Sequence, residues 1–150
     1  MYEFLDYVAS DVMSKPVAIG SDAPLAEVEQ TLERTGFNGM PVVSDGALVG
    51  FVTSLDLLEA FRFTPDAILP PYEQIMQRPV SSVMRRDPAV VQPRTPLTRV
   101  LEKMVDTRNK SLPVVDPQGE RLVGVIARED VMRALRRATS GETPGSRDAR

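Results

Sequence analysis

The sequence predicts an α+β protein built from two tandem copies of one strand-helix-strand-strand-helix unit, packed through their sheets with pseudo-two-fold symmetry. Three observations lead there. The stretch DVMSKPVAIGSDAPLAEVEQTLERTGFNGMPVVSDGALVGFVTSLDLLEAF, from Asp11, aligns with SVMRRDPAVVQPRTPLTRVLEKMVDTRNKSLPVVDPQGERLVGVIAREDVMRAL, from Ser82. Its added residues fall at Asp87 and near Pro117 to Arg121, in turn-like sequence. Self-similarity on this scale marks a duplicated structural unit. Within each copy the apolar spacing alternates between the period of a strand and that of a helix. Finally, one copy alone has too little apolar surface to form a core, so two sheets burying their faces against each other give the economical solution.

The elements follow in order. PVAIG and PAVVQP are β-branched runs bounded by turn formers and read as strands. The proline-led segments Pro24 to Thr35 and Pro96 to Thr107 place Leu25, Val28, Leu32 and Leu97, Val100, Leu101, Met104 at helical spacing. Asp22 and Arg94 to Thr95 precede prolines suited to a first helical turn. MPVVSDGALVGFVT and LPVVDPQGERLVGVIA each hold two apolar runs joined by a glycine-bearing turn, the mark of a hairpin. LDLLEAF and EDVMRALRRA return to helical spacing.

The resulting boundaries are a first repeat with its lead-in at 1–62, a connector at 63–79, a second repeat at 80–138 and a disordered polar tail at 139–150. The lead-ins also match, because Phe4, Leu5, Val12 and Met13 align with Ile75, Met76, Val83 and Met84. Met40, Met76, Met84, Met104 and Met132 align with apolar positions and are assigned to the core. In the connector and just before it, Phe61, Phe63 and Tyr72 would suit a docking segment if exposed.

Composition removes whole classes of function. With no cysteine and no histidine, disulfides, thiolate sites and the usual zinc, copper and haem ligand sets are unavailable. A formal charge of -3 and a pI near 5.1 leave no general basic field, which argues against nucleic acid. The start MYEFLDYVASDVM carries acids where a signal peptide would have a basic n-region, and no apolar run approaches the ~20 residues that span a bilayer. A cytoplasmic protein with no membrane association is expected. No nucleophile with a base, metal set or phosphate-cradling glycine loop is visible, so no enzyme is expected.

The twofold recurrence of DVM…PV…I, then APLAEVEQTLERTGFNGMPVV, then LVGFVTSLDLL resembles the cystathionine-beta-synthase (CBS) repeat, and the whole a tandem CBS pair, or Bateman module. The resemblance implies a regulatory module that binds adenosine-containing ligands (AMP, ADP, ATP or S-adenosylmethionine) as effectors in clefts between its repeats. It implies no catalytic cofactor, a homodimer, and a regulated partner protein. The rival is a ligand-free structural or oligomerisation module.

The site residues can be read one by one. GFVTSLD offers Thr53 and Asp56, and the later GVIARED keeps Asp130 but has Ala127 where Thr53 stood. An ionised carboxylate accepts hydrogen bonds from both hydroxyls of a ribose diol, and a hydroxyl three residues earlier can bond a ribose or phosphate oxygen. The same Thr-x-x-Asp spacing also builds a helix capping box, so both uses stay open. In GFNGMPVV the resemblance implies that Asn38, Gly39 and Met40 border the ligand. In RNKSLPVV, Lys110 and Ser111 offer phosphate donors, and Arg128 and Arg108 could add charge if they converge, the alternative being a solvated face. The loss of the hydroxyl at 127 predicts two unequal clefts.

Overall fold

The computed structural model describes residues 2–62 and 71–140. Two compact units emerge, and they divide the chain differently from the repeats. One holds Val17–Pro88; the other joins the chain's first residues, through Pro16, to the chain from Ala89 onward. The lead-in that precedes the first repeat therefore folds with the second, while the matching segment before the second repeat folds with the first. Sequence adjacency suggested the opposite grouping. The reason is that both lead-ins present the same methionine to the same glycine: Met84 lies against Gly50 and Met13 against Gly124. Duplication makes the two docking grooves alike, so the repeat pattern cannot choose between them.

In the Val17–Pro88 unit, β1 (Ile19–Gly20) pairs in parallel with β2 (Gly39–Ser44), which pairs antiparallel with β3 (Ala47–Thr53). Ser44 faces Ala47 across the two-residue turn Asp45-Gly46, where φ is 52° and 80°. Two consecutive positive φ values are what a tight hairpin turn of this hand requires, hence Asp-Gly. α3 (Leu25–Thr35) buries Leu25, Val28 and Leu32 along one stripe and ends on Gly36 in the left-handed region. α4 (Ser54–Glu59) follows β3 directly. α5 (Tyr72–Met76) and a short 3-10 turn at Val80–Ser82 add Met76 and Val80 to a core that includes Met40, Val42 and Val52.

The other unit contains α1 (Tyr2–Leu5), α2 (Ala9–Val12), α6 (Leu97–Thr107), β4 (Ser111–Val115), β5 (Leu122–Ala127) and α7 (Arg128–Ser140). β4 and β5 form an antiparallel hairpin. Its longer turn is tied by Asp116, whose Oδ1 accepts the Glu120 and Arg121 N–H groups at 3.0 and 3.3 Å. Those backbone donors, Glu120 first, hold the Asp116 carboxyl below its ordinary range. Phe4, Tyr7 and Ala9 of the lead-in enter one core with Leu97, Leu112 and Ile126.

Several expectations need correction. PAVVQP contributes one isolated bridge, Val91 to Val114, instead of a strand. In the first repeat the Ser21 N–H extends the pairing by donating to the Val43 carbonyl at 3.0 Å, but the aligned residue is Pro93, which has no N–H to give. Pro24 and Pro96 stand just before α3 and α6 as cap residues rather than inside their first turns. Arg108 closes α6 with φ 60° where α3 has Gly36, a left-handed conformation that costs a non-glycine residue about 1–2 kcal/mol.

Met40, Met76 and Met104 are buried as expected, but Met132 is exposed because it lies on the outward face of α7, as Leu58 does on α4. The residues expected to form a disordered tail begin, at Thr139 and Ser140, as the last residues of α7; 141–150 lie outside the described residues, as does 63–70 of the connector with Phe63. Tyr72 is exposed, stacks on Phe61 at a centroid distance of 5.5 Å, and donates its hydroxyl to Glu29 at 3.1 Å. Among the described residues, no helix is long and apolar enough to cross a membrane.

Candidate functional site

The first candidate site is the corner where β3 turns into α4. Gly39 stands opposite Thr53 in the ladder, and a Cβ there would lie 2.8 Å from the Val52 carbonyl oxygen and 3.0 Å from Thr53 Cγ2. Glycine is thus required by the close approach of β3. The Ser54 N–H donates to the Asn38 carbonyl at 2.9 Å, fixing the exposed Asn38 beside the start of α4. Met40 sends its side chain into the core, where it is 1% exposed, so only its backbone faces the corner's surroundings.

Thr53 and Asp56 serve each other. The Thr53 hydroxyl accepts the Asp56 N–H at 3.2 Å and donates to Asp56 Oδ2 at 2.9 Å, while the same oxygen accepts the Thr53 N–H at 2.9 Å. This is a complete capping box. A third donor reaches the other oxygen: Arg85 Nε lies 3.1 Å from Asp56 Oδ1. Asp56 is only 7% exposed, whereas the Arg85 side chain is 54% exposed. The buried carboxylate is therefore charge-compensated from the solvent side. Sequence reading gave Arg85 no role; the available signal was its place directly after the lead-in methionine Met84, where the other lead-in has Ser14.

The second corner, between β5 and α7, repeats the backbone and changes the side chains. Ser111 stands opposite Ala127, and the Arg128 N–H donates to the Lys110 carbonyl at 2.9 Å. A serine hydroxyl stands opposite position 127, at 111, where the first repeat has Gly39. Asp130, 9% exposed, accepts the Ala127 N–H at 2.8 Å on Oδ2 and Arg133 Nη1 at 3.2 Å on Oδ1. Lys110 is exposed, while Arg128 pairs with the adjacent Glu129 at 3.3 Å and Arg108 ends α6. The Glu129 carboxyl is held below its ordinary range, chiefly by its own backbone N–H in the first turn of α7 and then by Arg128.

An acid three residues after the cap recurs a third time, at α2, where Asp11 Oδ2 accepts the Val8 N–H at 2.8 Å. Capping alone therefore accounts for an aspartate at each position. What separates the first corner is the hydroxyl and the external guanidinium together.

The CBS domain family matches residues 9–62 and 80–137. The chain belongs to the CBS domain family and is a tandem CBS pair. Protein MJ1225 of Methanocaldococcus jannaschii is 32% identical over 134 residues, covering 85% of this chain and 45% of its own length. The chain thus spans about half of that relative. The crystal structure of MJ1225 superposes with a TM-score of 0.78 at 28% identity, over 87% of this chain and 48% of that one. The CBS pair of MJ0100, solved in complex with 5′-methylthioadenosine and S-adenosyl-L-methionine, has a TM-score of 0.69 at 26% identity, over 86% of this chain and 95% of that one. CBSX2 of Arabidopsis thaliana in complex with AMP shares the fold, with a TM-score of 0.74 at 24% identity over 89% of this chain and 98% of that one.

Proposed function

We propose that this CBS pair is a regulatory module that binds an adenosine-containing ligand of the AMP, ADP, ATP or S-adenosylmethionine class at the corner of Thr53 and Asp56. Asp56 takes the ribose diol, Thr53 lies beside it, and the backbone of Asn38 and Gly39 borders the base or phosphate. The observation that carries this reading is the buried Asp56 carboxylate, whose third partner, Arg85, sits on an exposed side chain and can yield to a ligand. A carboxylate offers about four lone-pair positions, and Thr53 occupies two of them. The adenosine ligands held by MJ0100 support the class. The second corner, with Asp130, Ser111, Lys110 and Arg128 but no hydroxyl at 127, is the weaker site. Ligand occupancy favours one arrangement of the module, which a partner protein reads through differential affinity.

Calorimetric titration with AMP, ADP, ATP and S-adenosylmethionine tests the reading. Asp56→Asn keeps an acceptor for the cap but removes the charge, and is expected to weaken binding by about 10-fold or more, the worth of a charge-assisted hydrogen bond. Normal binding by that variant would remove the ribose contact. The internal satisfaction of Asp56 by its own capping box favours the rival reading of a ligand-free scaffold, and an absence of heat with all four ligands would establish it.

The same unit offers a surface for self-association. Leu55 and Leu58, 63% and 65% exposed, lie on α4 and leave apolar side chains in water. We infer a homodimer that covers them. The variant Leu55→Asp with Leu58→Asp is expected to shift the protein to monomer in light scattering, and an unchanged dimer mass would place the contact elsewhere.

A further inference from the structure

We propose that Arg85 sets the charge class of the ligand, making the first corner prefer adenosine phosphates over neutral 5′-substituted adenosines; this rests on the ribose contact proposed above. Of the three donors on Asp56, two come from Thr53 and are fixed by the cap. The third is the Arg85 guanidinium, bonded through Nε at 3.1 Å. A diol that engages Asp56 displaces the partner that is free to move, which is Arg85. Displacement leaves a guanidinium without its anion beside a nearly buried acid. A ligand that brings its own anion on the same ribose returns a partner to it, and a guanidinium fork matches phosphate geometry. A neutral ligand returns nothing.

The backbone is built for such a swing. Arg85 N–H donates to the Phe51 carbonyl at 2.8 Å and its carbonyl accepts the Phe51 N–H at 2.9 Å. The Arg85 main chain is thereby pinned to β3 while its side chain extends into solvent. The second corner has the same bridge, Ser14 to Val125 at 2.9 and 3.0 Å, but serine carries no charge. There Asp130 draws its guanidinium from Arg133 on its own helix. Charge selection from the lead-in is thus confined to the first corner.

Calorimetry with AMP and with 5′-methylthioadenosine on the full chain tests the inference. The wild-type chain is expected to bind AMP at least about 10-fold more tightly, the scale of one charge-assisted contact. Arg85→Gln should weaken AMP by a similar factor and leave 5′-methylthioadenosine within about twofold or tighter, whereas Arg85→Lys should keep most of the preference. An equal affinity of the wild type for both ligands, or a ratio unmoved by Arg85→Gln, overturns the inference while the ribose contact stands if Asp56→Asn loses both. Absence of binding by either ligand overturns both readings.

Discussion

Phe4→Ala is expected to destabilise the protein by about 3–5 kcal/mol, the range for removing a buried aromatic side chain. Phe4 is 3% exposed, stands 6.1 Å from the Tyr7 ring and belongs to the core of Leu97, Leu112 and Ile126. Hydrogen exchange gives the more informative readout, because it locates the loss. Protection should fall most in α6, β4, β5 and α7, although Phe4 precedes the first repeat in sequence. A loss concentrated in α3, β2 and β3 instead would show that the lead-in supports its own repeat. Ile75 supplies the internal comparison. It aligns with Phe4, is fully buried, and lies in the Val17–Pro88 unit, so Ile75→Ala should reverse the pattern.

That exchange of lead-ins marks the limit of what repeat alignment conveys. Pairing Met13 with Met84 identified equivalent positions, because each methionine lies against the matching glycine of a hairpin. Alignment carries no information about which hairpin, since the grooves at Gly50 and Gly124 descend from one sequence. The helical stripes of α3 and α6 were legible because periodicity directly reports one-sided burial. The strand at PAVVQP was over-read because β-branched composition is a propensity, whereas pairing needs donors and Pro93 has none. At the candidate site, Thr53 and Asp56 stand out through the repeated GFVTSLD motif, and the same Thr-x-x-Asp spacing specifies the capping box they form. Arg85 was missed because its link to Asp56 crosses from lead-in to hairpin, a contact no local motif encodes.

Gly50→Ala joins the fold to the site and should be the more damaging of two matched glycine substitutions, at about 1–3 kcal/mol for steric overpacking. A Cβ at 50 would lie 2.7 Å from Met84 Sδ and 2.8 Å from the Arg85 carbonyl oxygen. The thioether can turn away. The carbonyl cannot, because it is held in the paired bonds to Phe51. Relief therefore requires that the Met84–Arg85 segment leave β3, which draws the guanidinium away from Asp56. At Gly124 the nearest atom is Met13 Sδ at 2.6 Å, but the Ser14 carbonyl oxygen is at 3.2 Å, so a rotamer change of Met13 gives most of the needed room. Denaturation midpoints should thus fall further for Gly50→Ala than for Gly124→Ala, and only the former should reduce the preference for AMP over 5′-methylthioadenosine. Equal losses of stability would mean that the Arg85 backbone can shift without cost, and the pinned main chain that gives Arg85 its place beside Asp56 would have to be abandoned.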